Sequence, residues 1–180
     1  MNNELILILG GARSGKSSYA QTLASQIGGS VLYIATGTAG DEEMASRIAA
    51  HRAHRPADWQ TLEAPYKVAS AIQSGNYRPG VVLLDCLTLL ASNLISLQTE
   101  PVNETAFQTA LDAELDELLS EWQDGTASWI IVSNEVGLGL VPPYPLGRVY
   151  RDALGKANQR LAAAATKVIF MVAGLPMAVK

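Results

Sequence analysis

Apolar residues along this chain fall into short unbroken runs separated by stretches of helical spacing. Leu5–Leu9 reads LILIL, and a continuous apolar run of that kind predicts a strand buried on both faces. Val31–Ala35, Val81–Leu84, Trp129–Val132 and Val168–Val172 carry the same signal. Trp59–Glu63 is a candidate short strand and Met177–Val179 a candidate edge strand. Between these runs the period changes. A helix pattern begins near Gly15. Asp41–His54 reads as a helix, with Asp41, Glu42 and Glu43 at its positive N-terminal end and Pro56 beyond its stop. Val68–Ser74 and Leu87–Leu97 are further helices. Ala106–Trp122 places Phe107, Leu111, Leu115, Leu118, Leu119 and Trp122 at helical spacing. Arg148–Ala165 does the same with Tyr150, Ala153, Leu154, Ala157 and Leu161.

Strand alternating with helix predicts an α/β fold with a mostly parallel central sheet flanked by helices. No repeat, low-complexity tract or linker divides the 180 residues, so one domain over 1–180 is expected. Gly137–Pro145 (GLGLVPPYP) reads as a loop at a strand end, where open α/β sheets place their sites. Apolar residues make up 48% of the chain, enough for a core without staples. A net charge of −4 with scattered Lys and Arg argues against a nucleic-acid or membrane-surface partner. The apolar run Val81–Ile95 is interrupted by Asp85, Thr88, Ser92 and Asn93 and is too short to span a bilayer. Residues 1–4 lack the basic start of a secretory leader, so a soluble cytoplasmic protein is the expectation. Cys86 stands alone, which excludes an internal disulfide; within its apolar run it reads as a small core residue or as a reactive thiol.

The chemistry begins at Gly10-Gly11-Ala12-Arg13-Ser14-Gly15-Lys16-Ser17. It matches G-x-x-x-x-G-K-[ST] in full, with a buried strand before it and a helix after it. Glycines let backbone N–H groups converge on phosphate oxygens, and the helix start adds its dipole. Lys16 supplies a charge for the β- or γ-phosphate, and the Ser17 hydroxyl is a ligand for Mg²⁺. Arg13 is either a further phosphate contact or a surface charge. Asp85 ends an apolar strand, where an acid supports Mg²⁺; the alternative is a cap for the following helix. Ser133, Asn134 and Glu135 either line the same cleft or form an ordinary turn.

Both histidines lie on one predicted helix. At ~100° per residue Met44, Ile48, His51 and Arg55 share one strip, which turns His51 inward and His54 toward Arg47. Flanking arginines suit an anion and disfavour protonation of the imidazole. The alternative is a satisfied core or surface histidine. A metal site is not expected there, because the spacing is i, i+3 and arginines crowd it.

Six segments together resemble the bifunctional adenosylcobinamide kinase / adenosylcobinamide-phosphate guanylyltransferase family, over essentially the whole chain. They are GGARSGKS, LYIATG, DEEMASRIAAHRAHRPADWQTLEAP, LLDCLTLLASNL, SNEVGLGLVP and RVYRDALGKANQRLAAAATKV. The resemblance implies a P-loop NTPase (RecA-like) fold and two reactions. In the first, ATP or GTP phosphorylates the aminopropanol hydroxyl of adenosylcobinamide. In the second, GMP passes from GTP to that phosphate through a guanylylated histidine. It carries the nucleophile to His51, in the pattern His51, Arg55, Pro56, Trp59. It carries nucleotide contacts to Gly10–Ser17, to Ala35, Thr36 and Gly37, to Arg52, Ala53, His54 and Arg55, and to Glu63 and Asp85. The two acids are also candidates for hydrogen bonds from guanine. A homotrimer is implied as well. The chain departs from the family pattern at Ala50, where some relatives have a histidine, at His54, where a glycine can stand, and at Asp85, where a glutamate can. Two rival readings are a small-molecule kinase without guanylyl transfer and a nucleotide-dependent switch ATPase.

Overall fold

The computed structural model describes residues 3–40, 42–53, 55–99 and 102–180; within the second helix the side chains at 43, 44, 47, 50 and 51 lie outside the described set. In chain order the elements are β1 (Leu5–Gly10), α1 (Lys16–Ile27), β2 (Val31–Ala35), α2 (Glu42–Ala53), β3 (Gln60–Glu63), α3 (Val68–Ser74), β4 (Val81–Asp85), α4 (Leu87–Ser96), α5 (Glu104–Asp124), β5 (Ser128–Val132), α6 (Pro145–Ala164), β6 (Lys167–Val172) and β7 (Leu175–Ala178). The expected helix ends at Asp41 and His54 fall outside the described residues.

The seven strands form one sheet in the order β3-β2-β4-β5-β1-β6-β7. Every pairing is parallel except β6 with β7. This is the α/β, P-loop NTPase-like arrangement expected from the sequence. The unbroken apolar runs follow from burial on both faces. Leu5, Leu7, Leu32, Ile34, Leu84 and Ile131 point to the side covered by α3, α4, α5 and α6. Their neighbours Ile6, Ile8, Tyr33, Leu83, Ile130 and Val132 point to the side where α1 packs through Ala20 and Ala24. Successive residues of a strand alternate faces, so a two-sided core requires an apolar residue at every position.

Boundaries shift where local chemistry overrides the apolar stripe. Pro145, assigned to the loop from sequence, is the first residue of α6, where its fixed φ and missing N–H cost nothing. The predicted helix Ala106–Trp122 begins earlier, at Glu104, because the Asn103 side chain accepts a hydrogen bond from the Ala106 N–H at 3.0 Å. The last strand starts at Leu175, after a tight turn in which Ala173 and Gly174 have φ of 50° and 82°.

Register aligns the carboxyl ends of the strands. Ala35 pairs with Glu63 on one side and Asp85 on the other, and Asp85 pairs with Val132. Glu63 and Asp85, which end separate apolar runs, therefore stand in one row with Val132 and Ile8, two residues short of Gly10.

Helix α3 is held from outside. Glu114, buried on α5, accepts the backbone N–H groups of Lys67 and Val68, both at 2.8 Å. These are donors that the helix start leaves unpaired. Glu114→Ala is expected to cost about 2–3 kcal/mol in urea unfolding, since one buried and one part-buried donor lose a charged acceptor. Glu114→Gln, which keeps one acceptor oxygen, should cost less. Equal stability for wild type and Glu114→Ala would show that the contact contributes nothing.

Candidate active site

The phosphate loop takes its shape from close approaches that only glycine allows. Gly10 has φ 151°, and a Cβ there would lie 2.6 Å from the Met171 carbonyl oxygen and 2.8 Å from Ser14 Oγ. Gly15 has φ 94°, and its Cβ would lie 3.3 Å from Gly174 Cα. The turn between β6 and β7 closes on the loop from behind, where the Gly174 N–H donates to the Ser14 carbonyl at 3.0 Å. Ala12 and Arg13 are exposed at the crest, with Arg13 in the left-handed region at φ 57°. Among the described residues no side chain caps the first turn of α1, so its N–H groups remain for an anion.

Lys16 is buried and donates from Nζ to the Gly11 carbonyl at 2.6 Å, folding back across its own loop. Burial lowers its pKa from the usual lysine value, and the nearby Cys86 and Asp85 act in the opposite sense. An anion bound in the loop would favour its charged form.

Asp85 does not cap the next helix. Cys86 occupies that position without a side-chain bond, and the Asp85 carboxylate turns back toward the loop. Its Oδ1 accepts from the Ser17 hydroxyl at 3.2 Å and its Oδ2 from the Tyr33 hydroxyl at 2.9 Å. Burial first, then the adjacent Asp85 charge, pushes the Tyr33 phenol up, so it remains a donor. The Arg55 guanidinium lies over the Tyr33 ring at 3.5 Å from its centroid and donates to Thr61 Oγ1 at 2.6 Å. A continuous polar path thus runs from the loop serine to the segment after α2. An oxygen pair such as Ser17 and Asp85 suits Mg²⁺, a hard cation that uses one or two protein oxygens beside phosphate. Among the described residues no three His, Cys, Asp or Glu side chains converge into a metal cage.

The remaining sequence-selected residues divide. Arg52 and Glu63 form an ion pair on exposed surface beside this path. The Thr36 hydroxyl is turned inward, donating to the Cys86 carbonyl at 2.7 Å and accepting its N–H at 2.8 Å. Ala35 ends β2 beside Asp85, and Gly37 leaves room for Leu89 and Ile48. Ile48 of α2 lies beside Gly37, just past the end of β2. Ala53 ends α2 on the exposed side. The His51 side chain and all of His54 lie outside the described residues. Cys86 is half-buried; burial and the Asp85 charge push its thiol up to about 11, the opposite of a reactive cysteine. Ser133 is buried, and the Glu135 N–H donates to the Gly10 carbonyl at 3.1 Å, so this turn does border the loop.

Two participants escaped sequence reasoning. Tyr33 reads as a core aromatic; the only available signal was that a buried phenol needs a partner for its hydroxyl. Asn93 bonds the Thr36 and Pro65 carbonyls at 2.7 and 3.0 Å, and nothing in its helical pattern marks it.

The family described as cobinamide kinase / cobinamide phosphate guanyltransferase matches residues 6–179. The chain is 47% identical over 174 residues to the bifunctional adenosylcobalamin biosynthesis protein CobP of Pseudomonas aeruginosa, covering 97% of this chain and 96% of the relative. It is 39% identical over 181 residues to the bifunctional adenosylcobalamin biosynthesis proteins CobU of Escherichia coli and of Salmonella typhimurium, covering 98% of this chain and 99% of each relative.

Tyr33→Phe removes one hydrogen bond to the Asp85 carboxylate and keeps the ring under Arg55. It is expected to lower unfolding free energy by about 1–2 kcal/mol. Tyr33→Leu should lower it further, through lost ring packing. Identical melting of wild type and both variants would remove Tyr33 from this network.

Proposed function

Because the chain belongs to the cobinamide kinase / cobinamide phosphate guanyltransferase family, we propose that it catalyses both transfers at one nucleotide site, the second through a guanylylated His51. The observation that carries this reading is the phosphate loop with Lys16 buried across it and the Ser17–Asp85 pair beside it.

In the kinase step, ATP or GTP lies with its β- and γ-phosphates in the Gly10–Ser17 cradle. The acceptor hydroxyl of adenosylcobinamide attacks the γ-phosphorus, the bond to the β-phosphate oxygen breaks, and the hydroxyl proton leaves. In the guanylyl step a neutral His51 nitrogen attacks the α-phosphorus of GTP and pyrophosphate departs. The acceptor phosphate then displaces the imidazole, forming a P–O bond as the P–N bond breaks. Dividing the displacement in two is the advantage of a covalent nucleophile.

The residues supply mainly position and charge. Lys16 and the loop amides hold the departing phosphates. Ser17 and Asp85 would hold Mg²⁺, which when bound neutralises phosphate charge. Arg52 and Arg55 favour an anionic nucleotide near α2, with Ala53 and His54 completing that segment. Glu63 and Asp85 offer acceptors for guanine N–H groups, and Ala35, Thr36 and Gly37 lie at the same sheet end. A homotrimer belongs to the same proposal; light scattering giving a monomer mass would remove it.

GTP labelled at the α-phosphate tests the histidine. The expected outcome is a protein-bound label that is stable to alkali and lost in acid. His51→Ala should abolish it while His54→Ala keeps most of it. The reverse pattern would move the nucleophile to His54, and no label on wild type would leave a kinase alone.

A further inference from the structure

Helix α6 breaks a local rule at Gly155. Glycine near the middle of a 20-residue helix costs about 1 kcal/mol relative to alanine. The backbone does not require it, since Gly155 is not among the glycines with positive φ. Packing does not require it either: a Cβ built there meets nothing within 4 Å. What the missing side chain leaves is space. Gly155 lines a cavity of about 530 Å³ between α6, the start of α5 and the segment from Glu135 to Gly137. That volume is in the range of small-molecule sites.

The cavity adjoins the phosphate loop. Leu9, the residue before the loop, lines it, and so does Glu135, whose N–H is bonded to the Gly10 carbonyl. It opens on the sheet face covered by α6, whereas Tyr33 stands on the α1 face. A molecule in the cavity would therefore approach the loop from the face opposite Tyr33.

The lining indicates what kind of molecule. Glu104, Glu135 and Asp152 face Arg151 and Lys156, three acids against two bases. Arg151 is also tied to Asp152 at 3.0 Å. Such a wall has no positive excess to attract a second polyphosphate. Asn158 is 4% exposed and donates from Nδ2 to the Asn134 carbonyl at 3.0 Å. Its Oδ1 is buried without a partner among the described residues, an acceptor lacking a donor. Interleaved donors and acceptors beside apolar Leu9 and Ala162 suit a molecule rimmed with neutral amides.

Resting on the two-transfer reading, we propose that this cavity is the acceptor site, taking one amide-bearing edge of cobinamide and its alcohol arm. The empty position at Gly155 makes room for that edge.

Filling the cavity tests this in the full chain. Gly155→Leu adds a side chain where a Cβ is unopposed and raises helix propensity, so α6 should hold. Gln159→Trp fills the same space from an exposed position one turn on. Each is expected to raise the KM for adenosylcobinamide by about tenfold or more, the effect of losing ~1.4 kcal/mol of binding. Binding of GTP and the α-phosphate label should stay at wild-type levels, and Gly155→Ala should change the KM little. Phosphorylation of adenosylcobinamide, followed with γ-labelled ATP, reads the cavity independently of the histidine. Absence of the α-label in wild type would count against His51 only. Folded Gly155→Leu and Gln159→Trp proteins with a KM within about twofold of wild type would overturn the acceptor site.

Discussion

The Met171 carbonyl oxygen stands where a side chain at residue 10 would begin. This close approach of β6 to the end of β1 shapes the phosphate loop, and the rest of the site depends on it. Gly10 can accept it only without a Cβ, and the chain then turns through Ser14 and Gly15 into α1. Lys16 and Ser17 are delivered one after the other from the same helix start. Lys16 goes across the loop, and Ser17 goes sideways to Asp85.

From Asp85 the site extends laterally through the sheet rather than out into solvent. Its carboxylate divides its two oxygens between a hydroxyl of α1 and a hydroxyl of β2, and Arg55 closes over the second. The two donors fix the orientation of that carboxylate. Because Arg55 follows α2, the orientation of that helix end is coupled to the acid nearest the loop. Ser17, Tyr33, Arg55 and Asp85 thus form one connected group of side chains from four parts of the sequence.

Much of this was legible from residue order. Parallel strands buried on both faces announce themselves as unbroken apolar runs, and the phosphate loop is specified by its own residues. Helix starts were less legible, because the polar cap at Asn103 and the proline at 145 act outside the apolar stripe that marks a helix. Asp85 shows a different difficulty. From sequence it could serve as a cap or turn toward the loop, and only the register of β4 against β2 brings Tyr33 within its reach. The environment of Gly155 was illegible for a related reason. A glycine in a helical pattern carries no sign of the empty space above it; that space belongs to elements far away in the chain.

The hairpin behind the phosphate loop bears on how the protein is made. β1 lies between β5 and β6, so the first strand synthesised waits for residues 128–132 and 167–172 before its edges are paired. The turn at Gly174 then closes on Ser14. A nascent chain that has emerged only through β4 holds the loop sequence and Asp85 but lacks the backbone that bends the loop. The bend of the loop is therefore completed by the strands synthesised last, although its own residues are among the first.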